Sequence, residues 1–131
     1  MTDLQSADPS CRALMQKLAA GVVAGAESQV NALRAAPEAP ADRYMRRHIL
    51  RLATLNLDED QLAGLEAAFS QSIEHALAWL FAVLDGNGTV YGWPPSIRLV
   101  DTDAGRVVCD GRLQDLFTEA LNDLRYGPPT G

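Results

Sequence analysis

The stretch Leu57-Asp58-Glu59-Asp60-Gln61-Leu62-Ala63-Gly64-Leu65 decides how this chain folds. Asp58 suits a helix N-cap and Gln61, three positions on, completes a capping box; Leu57 and Leu62 fill the two positions of a hydrophobic staple. From there Leu62, Leu65, Phe69, Ile73, Leu77, Leu80 and Leu84 recur every three or four residues, and Gly86 tolerates the left-handed conformation that ends helices. The spacing predicts a helix of about 27 residues, ~40 Å long at about 1.5 Å per residue. Its last turns, with Ala76, Trp79, Leu80, Phe81, Val83 and Leu84, are apolar nearly all round, which places that half at the centre of the core or in a dimer contact.

Upstream, Asp8-Pro9 pairs a capping residue with the one helical position that tolerates proline, and a helix is expected from there to Ala36, before Pro37. Leu14, Leu18, Val22, Ala26, Val30 and Leu33 form its stripe. Gly21 and Gly25, among Ala19, Ala20, Ala24 and Ala26, suit either close approach by a second helix or a kink. Pro37-Glu38-Ala39-Pro40 is a short connector, too short to separate domains. Asp42 then caps a second helix to about Thr54, with Met45, Ile49 and Leu52 inward, packed antiparallel to the first.

Downstream, Asp85 to Pro95 is rich in Gly and Pro and reads as an irregular loop. Ser96–Val100 and Arg106–Cys109 read as two strands around a turn at Asp101–Gly105. A lone hairpin is marginal in water and must lie on the helices or join a strand of another chain. Asp110-Gly111 opens a last helix, with Leu113, Leu116, Phe117, Ala120, Leu121 and Leu124 inward, ending at Tyr126-Gly127. The expected fold is α+β and mainly helical: four helices, with one β-hairpin between the long third helix and the C-terminal one, in the order ααα-ββ-α. Residues 1–8 are expected as a flexible N-terminus, 9–126 as a single globular domain and 127–131 as a flexible C-terminus.

A chain of 131 residues with 47% hydrophobic and 21% charged residues has the composition of a globular domain with one core. Eleven basic and seventeen acidic residues leave a charge of −6, a field that repels nucleic acid and anionic lipid. All the cations except Lys17 are arginine and alanine is abundant, a bias in keeping with a GC-rich bacterial source. The N-terminus has neither a basic segment nor an apolar one of the secretory kind, and no uninterrupted apolar run approaches ~20 residues. These features predict a soluble, cytoplasmic protein with no membrane association. Cys11 and Cys109 belong to no CxxC pair, and two buried, reduced thiols are expected.

The candidate chemistry is sparse. Asp85, Asn87 and Thr89 match the first three ligand positions of a calcium loop, but Val90 and Ser96 stand where Gly and Glu are needed, so a helix-ending turn is the better reading. Neither His48 nor His75 has a metal-ligating partner at helical spacing, and no metal is expected. Asp101, Asp103 and Asp110 near the hairpin are explained by turns and caps. Ser72 and His75 share a helical face, the seed of a nucleophile–base pair or a polar pocket, without a nucleophile elbow or a third partner. No phosphate-binding or dinucleotide motif occurs, so no cofactor is expected.

Two features suggest contacts. Arg43, Arg46, Arg47 and Arg51 make a basic ridge at helical spacing, suited to phosphate, nucleic acid or an acidic protein surface, or else to ion pairs with acids of the third helix. Tyr91 and Trp93 in the loop suit an interface anchor or a lid on the core. The expected role is a non-enzymatic protein-interaction module, inhibitor- or immunity-like, whose acidic surface meets a basic target protein and which permits a homodimer. The alternatives are a small-ligand binder or enzyme with a pocket between the long helix and the hairpin, using Ser72 and His75, and a nucleic-acid or phosphate contact through the arginine ridge. Nucleic acid ranks last because of the net charge.

Overall fold

A computed structural model of the chain describes residues 2–35, 43–87 and 97–127. It contains α1 (Pro9–Arg34), α2 (Arg43–Ala53), α3 (Glu59–Ala82), β1 (Val100–Asp101), β2 (Arg106–Val107) and α4 (Leu113–Tyr126). The order and the mainly helical α+β class follow the periodicity of the sequence. Contacts divide the chain into two compact units, Val22–Ile73 and Met1–Gly21 with Glu74–Gly131.

In Val22–Ile73 the capping box forms in both directions. The Asp58 N–H donates to Gln61 Oε1 at 2.9 Å, and the Gln61 N–H donates to Asp58 Oδ1 at 2.8 Å. Two N–H groups that the helix start leaves orphaned are thereby satisfied. The start of α3 is fixed where Leu62 packs with Val30 and Leu33, and Ile49, Leu52, Leu57, Leu65 and Phe69 close around this cluster. Arg34 of α1 grips the Glu59 carboxylate through Nη2 at 2.9 Å and donates to Asn31 through Nη1 at 2.8 Å. The expected inward residues Ile49 and Leu52 of α2 are where the stripe put them; Pro37–Pro40, Asp42 and the side chain of Met45 lie outside the described residues.

The inward face of α1 is Cys11, Met15, Ala19, Val22, Ala26, Val30 and Leu33. Leu14, expected inside, is 36% exposed and Leu18 is only half-buried. Both faces obey helical spacing in the first half of α1, and the choice falls to the one carrying Cys11. Gly25 stands 3.4 Å, measured from an ideal Cβ position, from Ile73 Cδ1, while Gly21 has nothing within 4 Å. Neither position demands glycine, and α1 continues unbroken through both, so the expected close helix approach or kink is absent.

The other unit buries Leu4, Met15, Ala19, Phe81, Ala82, Val83, Leu113, Leu116, Phe117, Ala120 and Leu121. Phe81 and Phe117 meet edge-to-face at 5.2 Å between ring centroids, a favoured aromatic geometry. Arg125 of α4 holds Glu74 of α3 at 2.8 Å. The C-terminal end of α3 widens into a π-turn over Val83–Asn87, and Gly86 ends it at φ 101°. This half of α3 is one-sided after all: Phe81 to Val83 are buried, whereas Trp79 and Leu80 are 41% and 43% exposed. Leu124 of α4, expected inward, is 51% exposed, because it follows Leu121 by three residues on a face that has already left the core.

Residues 2–8, expected as a flexible terminus, form a turn. The Thr2 N–H donates to Gln5 Oε1, the Gln5 N–H to Thr2 Oγ1, and Leu4 is 1% exposed with its N–H on Glu119 Oε2 at 3.0 Å. A single leucine in a polar segment has no periodicity to betray it.

The hairpin pairs Val100 with Val107 and Asp101 with Arg106. Its turn is built by Asp101, whose Oδ1 accepts from the N–H groups of Asp103 and Ala104, and Gly105 follows at φ 68°. The second strand ends at Val107 rather than at Cys109. Cys109, Asp110 and Gly111 take φ of 56°, 52° and 73°, three successive left-handed residues of which two are not glycine and carry strain.

Cys109 is disulfide-bonded to Cys11, across 98 residues of chain and a Cα–Cα distance of 5.3 Å. This corrects the expectation of two reduced thiols. Spacing in sequence bears on metal knuckles and CxxC motifs but not on two cysteines brought together by the fold. On a chain-entropy account, closing a loop of that length stabilises the fold by roughly 4–5 kcal/mol.

Among the described residues one helical stretch, Glu59–Gly86, is by length and composition apolar enough to cross a membrane. Glu66 and Glu74 punctuate it.

Since nothing occupies the space beside Gly21, Gly21→Ala is expected to raise unfolding stability by about 0.5–1 kcal/mol. Urea denaturation followed by circular dichroism measures this; a loss of stability would show that α1 needs glycine there for a reason other than space.

Candidate functional site

The α2 sequence Arg43-Tyr44-Met45-Arg46-Arg47-His48-Ile49-Leu50-Arg51-Leu52-Ala53 separates sharply by face. Ile49 and Leu52 are drawn into the Leu62 cluster, and that anchoring turns Arg43, Arg46, Arg47 and Arg51 outward, all four exposed. Tyr44 is 73% exposed and Leu50 36%, and the Tyr44 and His48 rings meet edge-on at 4.8 Å between centroids. No carboxylate among the described residues lies within ion-pair distance of any of the four guanidinium groups; the four ion pairs found join Arg34–Glu59, Arg106–Asp8, Arg112–Asp3 and Arg125–Glu74. Glu59, one of the acids at the start of α3 in the expected α2–α3 pairing, is engaged by Arg34. The ridge is therefore a cationic strip bordered by a tyrosine and a leucine.

Ser72 and His75 are both exposed on α3, no hydrogen bond joins them, and neither lines a described cavity. Tyr91 and Trp93 lie outside the described residues. The hairpin does border a cavity, of about 340 Å³, but its opposite wall is the N-terminal turn and the start of α1 rather than α3. Asp3, Asp8, Cys11, Arg106, Cys109 and Arg112 are among its lining residues. Two ion pairs cross it, Asp3–Arg112 at 2.7 Å and Asp8–Arg106 at 3.5 Å. A second cavity, of about 440 Å³, lies in the other unit between Leu33, Leu52, Leu57 and Leu62, with Arg34 and Glu59 at its edge. Among the described residues no group of three His, Cys, Asp or Glu side chains is placed to hold a metal ion.

Asp85, the first residue of the calcium-loop candidate, has another task. Its two carboxylate oxygens accept from the N–H groups of Leu113 at 2.8 Å and Gln114 at 2.9 Å, the first two residues of α4. α4 has no side-chain cap from its own neighbour Arg112. A carboxylate from 28 residues upstream thus serves as the remote cap of α4, where the helix dipole favours negative charge. Partial burial pushes the Asp85 carboxyl above its ordinary value, and the two backbone N–H groups oppose that shift.

Sequence reasoning found the arginine ridge and missed Asp85 and the cysteine pair. The signal for Asp85 was present in part: α4 opens on Arg112-Leu113, which has no good local cap, so a remote acceptor was owed to its first N–H groups. No family model, curated protein or solved structure matches the chain.

Replacing Asp85 by Ala strands two N–H groups and is expected to cost about 1–2 kcal/mol in unfolding stability. The raised value also fixes a sign. Between the ordinary aspartate value and the raised one the folded chain binds more protons than the unfolded chain, so this contribution is full below that interval and is lost as pH rises through it. Asp85→Asn is expected to abolish that segment of the stability–pH curve, measured by denaturant titration at successive acid pH values; an unchanged slope would assign it to another group.

Proposed function

We propose that this protein is a non-enzymatic protein-interaction module, inhibitor- or immunity-like in kind, that docks an acidic protein surface on the exposed face of α2. The observation that carries this reading is the exposed set Arg43, Arg46, Arg47 and Arg51, without an ion-pair partner among the described residues, beside exposed Tyr44 and Leu50. Guanidinium forks match carboxylates in two-point contacts. Arginine and tyrosine together have the composition of an interface centre, whereas a phosphate track needs only cations.

Charge supports a protein partner over nucleic acid. A long polyanion would meet the remaining surface of a chain carrying −6 overall, while a compact acidic patch engages α2 alone; exposed charges beyond about 8 Å are screened at physiological salt. Ser72 and His75, the residues expected in a pocket between α3 and the hairpin, line neither the 340 Å³ nor the 440 Å³ cavity. The cytoplasmic expectation loses one of its supports in the Cys11–Cys109 bond, because disulfides persist chiefly in oxidising compartments.

A fluorescent Glu-rich peptide with flanking leucines serves as the probe, with single-stranded DNA and inorganic phosphate as comparisons. The peptide is expected to bind, and Arg43→Ala/Arg47→Ala to weaken it by about tenfold or more, equivalent to ~1.4 kcal/mol. Equal binding by the double variant, or preferential binding of DNA with a steep loss in salt, would overturn the protein-surface reading.

A further inference from the structure

Among the described residues few contacts besides the disulfide tie the hairpin and the turn after it to the N-terminal turn and α1, while Arg98 lies against Gly86 at the end of α3. No residue from 97 to 112 is buried, and Ile97, Val100 and Val107 are 38%, 47% and 36% exposed. The ladder has two residue pairs, extended by the Val108 N–H donating to the Leu99 carbonyl at 2.9 Å. A two-stranded ribbon of this size is not stable by itself in water. The links from this segment to the N-terminal turn and α1 are Asp8–Arg106 and Asp3–Arg112, both between substantially exposed side chains, and the Cys11–Cys109 bond. Exposed ion pairs contribute little, so the covalent bond is the decisive attachment.

The bond also acts where the backbone is strained. Cys109 and Asp110 hold left-handed conformations that side chains disfavour, and such geometry persists only when its surroundings enforce it. Beyond Gly111 that enforcement comes from α4, whose buried face and Asp85 cap do not involve the disulfide. Cys11 sits on the inward face of α1 at 4% exposure, fixed by the core, whereas Cys109 is half-buried and both line the 340 Å³ cavity.

We infer that the Cys11–Cys109 bond is a redox latch: when oxidised it holds residues 97–112 against the N-terminal turn, and when reduced it frees that segment while the helices stay folded. This lies outside the α2 reading and uses none of its residues. The chemistry is thiol–disulfide exchange with an external dithiol. A reductant thiolate attacks the sulfur of Cys109, the less buried of the two cysteines, forming a mixed disulfide, and the Cys11 sulfur leaves as a thiolate that takes up a proton. The second thiol of the reductant then displaces Cys109, so the dithiol is oxidised to its cyclic disulfide and both cysteines end as thiols. Re-formation runs the same exchange backwards with an external disulfide as oxidant. Opening separates the Asp3–Arg112 and Asp8–Arg106 ion pairs that cross the cavity.

The test is hydrogen–deuterium exchange by mass spectrometry on the intact chain, oxidised and after dithiothreitol in buffer without denaturant, with thiol alkylation as the count of reduced cysteines. The expected result is two alkylated thiols, exchange at 97–112 faster by tenfold or more, unchanged protection in α3 and α4, and recovery of protection with oxidised dithiothreitol. Cys11→Ser/Cys109→Ser is expected to match the reduced chain. Three outcomes overturn the latch: no reduction without denaturant, reduction that leaves exchange at 97–112 unchanged, and loss of protection throughout the helices, which would make the bond a general staple. Should the double variant fail to fold, the natively reduced wild-type chain decides between these results.

Discussion

The bond between Cys11 and Cys109 is the constraint on which the placement of the hairpin and of the turn into α4 depends. It joins the hairpin to the face of α1 that the core turns inward, where Cys11, Met15 and Ala19 are buried in place of the equally periodic Leu14 and Leu18 side. It fixes a hairpin that has no buried side chain of its own. It also holds the left-handed passage at Cys109 and Asp110 that turns the chain from β2 into α4.

A second long-range contact finishes what the bond begins. Asp85 comes from the π-turn that ends α3 and caps α4 through Leu113 and Gln114. The end of one helix and the start of the next are thereby set by a single carboxylate, and Phe81 meets Phe117 beside that junction. In the residues from Val22 to Ile73 the division of labour differs. There the fixed points are local, namely the Asp58–Gln61 capping box and the Leu62 cluster, with the Arg34–Glu59 ion pair at the rim. The burial of Ile49 and Leu52 is what makes the arginines of α2 an outward strip, so the candidate contact surface is a by-product of core packing on the opposite side of a short helix.

Much of the fold was legible in the sequence because it is written in short-range chemistry. Apolar spacing marks all four helices, the Asp58–Gln61 capping box marks the start of the third, and the Asp101–Gly105 turn marks the hairpin; their order needs no tertiary information. The arginine ridge was legible for the same reason, since residues at helical spacing share a face whatever surrounds them. Its freedom from acidic partners was not, because whether Glu59 meets α2 or Arg34 depends on how α1 and α3 lie together.

What the sequence by itself determined is therefore the set of helices and the single hairpin, together with the cationic face of α2: properties of residues within a few positions of one another. Tertiary structure alone decided the Cys11–Cys109 pairing, the remote cap at Asp85, the burial of Leu4 beside Glu119, and the choice of the Cys11 face over the Leu14 face on α1. Each of these joins groups tens of residues apart or chooses between two faces that local periodicity leaves equivalent. The physical reason is that hydrogen bonds at helix ends and the 3.6-residue period act within a turn or two, while a disulfide or a remote cap exists only once the packed core has brought its partners within bonding distance.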